Sequence, residues 1–204
     1  MLKVKERQIK LTFLGYYKGN IDGIEGKLTK EAYLNLQKDY FVNNKYRHDI
    51  DGIYGINTDK LLCSLYNVKT ICKHFKLEEF KCRCKNKYCS GYPDYLNAHL
   101  LENITKLRTW LELPIYLTSG FRCKKWNEIQ SPNSPKSRHQ YGKAIDFYSA
   151  GFSSLEKRKE VINRWLLYKN SRYSYCNGYS KNINGNTGKP KASYMGTSIH
   201  VDVI

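Results

Sequence analysis

The stretch Ser137-Arg138-His139-Gln140-Tyr141-Gly142-Lys143-Ala144-Ile145-Asp146 decides how the second half of this chain is interpreted. It combines a histidine of the metal-binding type with a carboxylate, and small residues stand between them. Small residues allow two backbone segments to approach closely. The pattern therefore offers His139 and Asp146 as side chains that a tightly packed backbone can present together.

A second histidine lies far downstream in Ile199-His200-Val201-Asp202-Val203. Its alternating apolar residues predict a strand that turns His200 and Asp202 to the same face. With His139 and Asp146, His200 completes a set of two imidazoles and one carboxylate. A catalytic zinc needs three such ligands and an open position for water, whose pKa the metal lowers to about 7.

Composition limits the classes of protein to which the chain can belong. Its 204 residues, 41% of them hydrophobic, suffice for one large domain or two small ones. The net charge of +17 lies mainly on residues 67–204, which favours binding to polyanions such as nucleic acid or anionic wall polymers. Residues 1–17 contain no continuous apolar stretch, so we expect synthesis in the cytoplasm without a signal peptide and no membrane insertion.

An internal repeat organises the first half of the chain. Ile21-Asp22-Gly23-Ile24-Glu25-Gly26-Lys27-Leu28-Thr29 recurs 29 residues later as Ile50-Asp51-Gly52-Ile53-Tyr54-Gly55-Ile56-Asn57-Thr58, with six of nine positions identical. Each copy predicts an Asp-Gly turn followed by a helix with a threonine as its N-cap. The repeat resembles the three-helix peptidoglycan-binding domain found beside many wall hydrolases, and the resemblance covers roughly residues 8–66.

The second half predicts a mixture of helices and strands. Leucines and an isoleucine at spacings of three and four indicate a helix over Pro93–Glu112. We further predict strands at Pro114–Thr118 and Ser198–Val203, a helix over Ser154–Lys169, and a long polar loop from Asn177 to Ser193. The expected fold class is α+β: a small all-α N-terminal domain (residues 1–67) followed by an α+β domain with a central antiparallel sheet (residues 68–204).

The Ser-x-His-x-x-Gly-x-Ala-x-Asp pattern, followed downstream by His-x-Asp, resembles the zinc D-Ala-D-Ala carboxypeptidases and phage L-Ala-D-Glu endolysins, which are relatives of the hedgehog metal fold. The family's Ser-Gly-aromatic-Arg turn matches Thr118–Arg122, and its following asparagine matches Asn127. The resemblance spans about residues 80–204. It implies that residues 68–204 form a zinc peptidase domain.

The resemblance also implies a role for individual residues. His139, Asp146 and His200 would bind one catalytic zinc ion. Arg122 would reach the substrate's carbonyl or carboxylate, as a fixed guanidinium can. Ser119, Asn127 and Ser137 are the candidate substrate-binding residues, although the two serines could instead cap turns.

The general base departs from the family pattern. Relatives often carry an acidic residue three positions before the last zinc histidine, or a histidine two before it, where this chain has Thr197 and Ser198. Neither side chain accepts a proton at neutral pH. Asp202 is the candidate catalytic residue, and the alternatives are another carboxylate, the metal-activated water alone, or a supporting role for Asp202 beside His200.

Seven cysteines raise the question of a second metal. Without an export signal they are expected to be reduced thiols. Cys82, Cys84 and Cys89, with Cys72 or His74 as a fourth ligand, could hold a structural zinc. Their spacing is not a standard zinc-finger pattern, so the sequence favours a single catalytic zinc.

The leading hypothesis is a zinc-dependent endolysin that cleaves an amide bond in the peptide stem or cross-link of peptidoglycan, with L-Ala-D-Glu as the expected bond. It would bind peptidoglycan and anionic wall polymers, and would reach the wall after the membrane is permeabilised. The alternatives are a D-Ala-D-Ala carboxypeptidase and an inert wall-binding protein that keeps its zinc. Nucleic acid is not expected as a partner, because the 18 tyrosines show no stacking pattern.

Overall fold

The computed structural model describes residues 1–41, 49–89, 91, 93 and 95–204. Over these residues the chain forms six α-helices and one six-stranded antiparallel sheet, which confirms the α+β class. The helices are α1 (Val4–Leu14), α2 (Lys27–Tyr40), α3 (Ile56–Ile71), α4 (Ala98–Leu111), α5 (Lys124–Gln130) and α6 (Leu155–Leu166). The strands are β1 (Tyr116–Ser119), β2 (Ala144–Tyr148), β3 (Ser171–Cys176), β4 (Tyr179–Asn182), β5 (Thr187–Gly188) and β6 (Ile199–Val203).

A buried glutamine explains the first copy of the sequence repeat. Gln8 of α1 is completely buried, and its Nε2 donates to Asp22 Oδ1 at 2.8 Å and to the Ile24 carbonyl at 3.1 Å. Its Oε1 accepts from the Gly23 amide at 2.8 Å. The Asp-Gly turn is therefore built around a side chain from the preceding helix.

Gln37 of α2 makes the same contacts one repeat later, with Asp51, Gly52 and Ile53. The threonines of the repeat are not the N-caps that we expected, because Gly26 and Gly55 occupy that position. Thr29 and Thr58 lie inside the first turn of their helices, buried, with each hydroxyl beside its glutamine.

The helix predicted over Pro93–Glu112 begins five residues later than expected. Asn97 is its N-cap and accepts from the amides of His99 and Leu100, so the chain before it is held outside the helix. The apolar stripe of α4 is buried as predicted. The helix predicted over Ser154–Lys169 is α6, with Ser154 as its N-cap.

The sheet order is β1-β2-β6-β3-β4-β5, and every neighbouring pair is antiparallel. The strand predicted at Ser198–Val203 is β6, so it lies inside the sheet between β2 and β3. The expected loop at Asn177–Ser193 is wrong in part, because β4 and β5 form within it. These strands pair at the sheet's edge, where polar side chains face solvent without a hydrophobic alternation to signal them.

One buried apolar cluster runs from the first three helices to the sheet. It includes Leu11 and Leu62 in the N-terminal helices and Leu101 and Val201 in the second half. Because α3 ends at Ile71, the domain boundary predicted at residue 67 lies within that helix, and the division remains a prediction. None of the described helices is both long and apolar enough to span a membrane.

Candidate active site

Strand pairing brings two of the three expected metal ligands together. Asp146 of β2 and His200 of β6 are direct partners across the antiparallel pair. Opposed residues place their Cβ atoms about 4.5–5.5 Å apart on the same face of a sheet. As a result, Asp146 Oδ1 lies 2.7 Å from His200 Nδ1.

The third expected ligand comes from a 3₁₀ helix that precedes β2. His139 lies in Arg138–Tyr141 and is completely buried. Its Nδ1 lies 2.7 Å from the Gly120 carbonyl, which leaves Nε2 for the site. Gly142 ends this turn with φ +60°, and a Cβ there would lie 1.8 Å from the Tyr95 carbonyl oxygen. Glycine is therefore required where the motif places it.

The three side chains converge on one point. His139 Nε2 lies 3.3 Å from Asp146 Oδ1 and 3.3 Å from His200 Nδ1. Tetrahedral nitrogen and oxygen ligands at about 2.0–2.1 Å from zinc lie about 3.3 Å apart. Two of the three spacings already match, and the third, 2.7 Å, is a hydrogen bond that a metal would replace. The donor set therefore fits zinc.

Burial and mutual charge set the protonation of the three ligands. Burial lowers the pKa of His139. Burial alone would raise the pKa of Asp146, but the charge and hydrogen bonds of His139 and His200 outweigh it and hold that pKa well below its usual range. For His200, burial is outweighed by hydrogen bonds to Asp146 and Asp202, which raise its pKa to about 9. At neutral pH and without metal, His139 is therefore neutral, Asp146 is ionised and His200 is positively charged.

Asp202 lies on the side of His200 away from the other two ligands. Its Oδ2 is 3.7 Å from His200 Nε2, which agrees with the shared strand face predicted from the sequence. The carboxylate is buried and accepts two hydrogen bonds from Arg172 and one from the Tyr173 amide. This geometry favours the supporting role over proton transfer, since the oxygens of Asp202 are already engaged.

Arg122 lies at the edge of the three ligands, where two clefts meet. Its Nη2 is 3.8 Å from Asp146 Oδ2, and Nη1 donates to Ser131 Oγ at 2.9 Å. The larger cleft, about 790 Å³, is lined by residues 130–138 and reaches His200. The smaller cleft, about 360 Å³, reaches Asp146. The guanidinium is therefore placed where a substrate in either cleft would pass.

The three candidate substrate-binding residues occupy different positions. Ser119 lines the smaller cleft and Ser137 the larger one. Asn127 is almost completely buried and donates to the Ser134 carbonyl at 2.9 Å. It therefore supports the loop that lines the larger cleft from beneath.

Three further residues of the site were not predicted from the sequence. Arg172 and Tyr175 belong to β3, whose polar sequence gave no strand signal. Tyr175 is the direct partner of His200 across β3 and β6, and its ring stacks on the imidazole at 4.7 Å between centroids. Tyr194 is highly exposed, and its hydroxyl lies 3.4 Å from that of Tyr175. Only the strand pairing brings Arg172 and Tyr175 to the site.

Comparison with known proteins agrees with this arrangement. No match was found among curated proteins. The family model for Peptidase M15 matches residues 73–177, about half of the chain, and this range includes His139 and Asp146. The chain belongs to the Peptidase M15 family.

Proposed function

We propose that this chain is a zinc-dependent endolysin that hydrolyses an amide bond in the peptide stem or cross-link of peptidoglycan, and most specifically the L-Ala-D-Glu bond. One observation carries the proposal. His139 Nε2, Asp146 Oδ1 and His200 Nδ1 lie within 3.3 Å of one another where two clefts meet. Three ligands that open onto a substrate cleft are typical of a catalytic metal site.

Zinc held by these residues would polarise the scissile carbonyl and acidify a water molecule. The chain's own residues hold the ligands in place. The Gly120 carbonyl fixes the ring of His139 through Nδ1. Asp202 faces the ring of His200 from the opposite side, and Arg172 fixes Asp202. Partners of this kind set the tautomer and orientation of ligating histidines.

Arg122 supplies a positive charge beside the reacting carbonyl. Its Nε is buried and has no hydrogen-bond partner in the described part of the chain, while Nη1 is held by Ser131. A guanidinium fixed in this way can stabilise the oxyanion of a tetrahedral intermediate or grip a carboxylate. We assign it that role because the two clefts share it.

The charge of the larger cleft supports an acidic peptide as substrate. Its lining includes Arg122, Lys136, Arg138 and Arg172, whereas its carboxylate, Asp202, is already paired. The stem of peptidoglycan contains D-Glu, and its carboxylate complements such a surface. A lytic role favours the endopeptidase, because removal of a terminal D-Ala would not open the wall.

We further propose that the N-terminal repeat holds the enzyme on peptidoglycan, while the basic residues of 67–204 attract anionic wall polymers. A cleft of about 920 Å³ lies between the two repeat turns, and its lining combines apolar residues with two lysines and three carboxylates (Glu25, Lys27, Lys30, Glu31, Leu34, Asp51 and Ile53). Ile24 and Ile53, which are equivalent in the two copies, are both about two-thirds exposed. Binding there would raise the local concentration of the catalytic site on the wall. In this proposal the enzyme is made in the cytoplasm and acts after membrane permeabilisation.

The test of activity is zymography of the full chain on purified walls. We expect clearing that a chelator abolishes and zinc restores, and no clearing by His139→Ala or His200→Ala. His99→Ala is the matched control, because His99 lies half-exposed on α4 and pairs only with Glu102 in the described residues. Full activity of His139→Ala or His200→Ala would refute the metal assignment.

The bond is identified by mass spectrometry of the released muropeptides. New amino-terminal D-Glu is expected for the endopeptidase. Loss of a single Ala would instead show a D-Ala-D-Ala carboxypeptidase. A protein that binds walls and zinc but releases no fragment would be the inert wall-binding alternative, which Thr197 and Ser198 at the usual base positions motivate.

A further inference from the structure

A second group of potential metal ligands lies outside the catalytic site. The Sγ atoms of Cys82, Cys84, Cys89 and Cys123 all lie within 4.8 Å of one another. The first three come from one irregular segment, and Cys123 comes from 34 residues further along the chain. Cys72, which the sequence suggested as a fourth ligand, packs instead against α4, with its Sγ 3.7 Å from the Leu101 carbonyl oxygen.

The sulfur spacing fits a metal better than a disulfide. Four sulfurs arranged tetrahedrally at about 2.3 Å from zinc lie about 3.8 Å apart. The Sγ atoms of Cys84 and Cys89 are 3.4 Å apart. A disulfide requires about 2.05 Å. Each of the seven cysteines, all within the described part of the chain, is a free thiol.

The backbone around the first three thiols is irregular and has few apolar contacts. From Lys81 to Cys89 the described chain contains neither α-helix nor strand, and Lys85 and Asn86 have positive φ. Its apolar contacts form a small cluster around Phe121, separate from the main core. Segments with so little core are commonly stabilised by a structural metal.

Backbone amides and nearby basic residues would stabilise the negative charge of metal-bound sulfurs at this position. The Cys123 amide donates to Cys82 Sγ at 3.4 Å, and the Gly91 amide donates to Cys89 Sγ at 3.3 Å. Four thiolates around a divalent ion carry a net charge of −2. Six basic residues flank the ligands in sequence and would offset it: Lys81, Arg83, Lys85, Lys87, Lys124 and Lys125.

We propose that Cys82, Cys84, Cys89 and Cys123 bind a structural zinc ion, each thiol losing its proton to the solvent. A closed site of four thiolates is typical of structural zinc, and zinc outcompetes ferrous iron for such ligands. The ion would join the segment at 82–89 to the turn that carries Gly120 and Arg122. It would thereby hold in place the carbonyl that orients His139.

The experiment measures zinc per chain in the full-length protein, purified under reducing conditions, by native mass spectrometry and elemental analysis. Two zinc ions are expected in the wild type. Cys84→Ser/Cys89→Ser should keep one ion, and His139→Ala should also keep one. Cys63→Ser, a half-buried cysteine on α3 outside the cluster, is the matched control and should keep both.

A second measurement does not depend on the folding of a variant. Loading the metal-free wild type with Co²⁺ should give the intense sulfur-to-cobalt charge-transfer absorption of thiolate ligation. A wild type with a single zinc ion that His139→Ala removes would overturn the proposal, as would disulfides or iron at these cysteines. A single ion that only the cysteine variant removes would uphold this site and refute the catalytic metal instead.

Discussion

Replacement of Asp202 by asparagine separates a positioning role from a role in proton transfer. The carboxylate is 1% exposed and is held by Arg172 and by the Tyr173 amide. Asparagine keeps one acceptor oxygen and loses the charge. A hydrogen bond to a charged group contributes about 1.5–3 kcal/mol. Because the side chain of Arg172 is 43% exposed and can turn to water, we expect the free energy of unfolding to fall by about 1–2 kcal/mol.

We expect Asp202→Asn to reduce the affinity for zinc more than it reduces kcat. Loss of a partner that orients a ligating histidine typically reduces metal affinity 10- to 100-fold. At saturating zinc, kcat of Asp202→Asn should therefore fall less than about 10-fold, and the acidic limb of its pH profile should not move. Loss of a general base would cost about 10²- to 10⁴-fold.

The assays are chelator competition for zinc, thermal unfolding, and kcat/KM against pH with a soluble muropeptide. Arg172→Gln is the companion variant, because it breaks the same ion pair and leaves the carboxylate beside His200. It should lose similar stability but less zinc affinity. Wild-type zinc affinity together with a loss of kcat above about 1000-fold in Asp202→Asn would show that Asp202 takes part in the reaction, and our reasoning would be refuted.

Three further outcomes are expected. Gly120→Ala places a Cβ 2.6 Å from the backbone of Phe80, so thermal unfolding should show that the free energy of unfolding falls by at least about 3 kcal/mol. Gly26→Ala is the control: its Cβ has open space, so the free energy of unfolding should change by less than about 1 kcal/mol. Lys136→Ala/Arg138→Ala should raise KM for an acidic muropeptide about 2- to 10-fold with kcat unchanged, and high salt should reduce the difference. In Cys84→Ser/Cys89→Ser, which should keep only the catalytic site, zinc binding at pH 7 should release at least about one proton, because His200, with a pKa near 9, must become neutral. Calorimetry in two buffers measures this release, and the affinity for zinc should rise with pH up to about 9.

The sequence was sufficient to predict the three candidate metal ligands that the structure brings together, but not the residues that surround them. His139 and Asp146 lie in one motif, and the alternation around His200 predicts its strand. Arg172 and Tyr175 reach the same site only because β3 pairs with β6, and the register of a sheet is a long-range property. The polar sequence of β3 lacks the alternation that would have predicted a strand.

The same limit applies to the cysteines and to the repeat. Cys82, Cys84 and Cys89 are close in sequence, but their fourth partner, Cys123, is brought to them by the turn after β1. The Asp-Gly turns were recognisable from composition, because glycine tolerates the positive φ that they require. The glutamines that fill them could not be identified, since each lies 14 residues before its turn.

The buried glutamines also define what is duplicated in the first half of the chain. The visible repeat starts at Ile21, but the structural unit starts earlier, because Gln8 belongs to the first turn and Gln37 to the second. Helix α2 therefore belongs to both units. It follows the Asp-Gly turn of the first copy, and its Gln37 fills the Asp-Gly turn of the second copy. If the chain were cut between the two copies, the first fragment would keep Gln37 without the turn that it contacts. The second fragment would keep that turn without its glutamine. Any minimal fragment made for binding studies therefore has to run from α1 to α3.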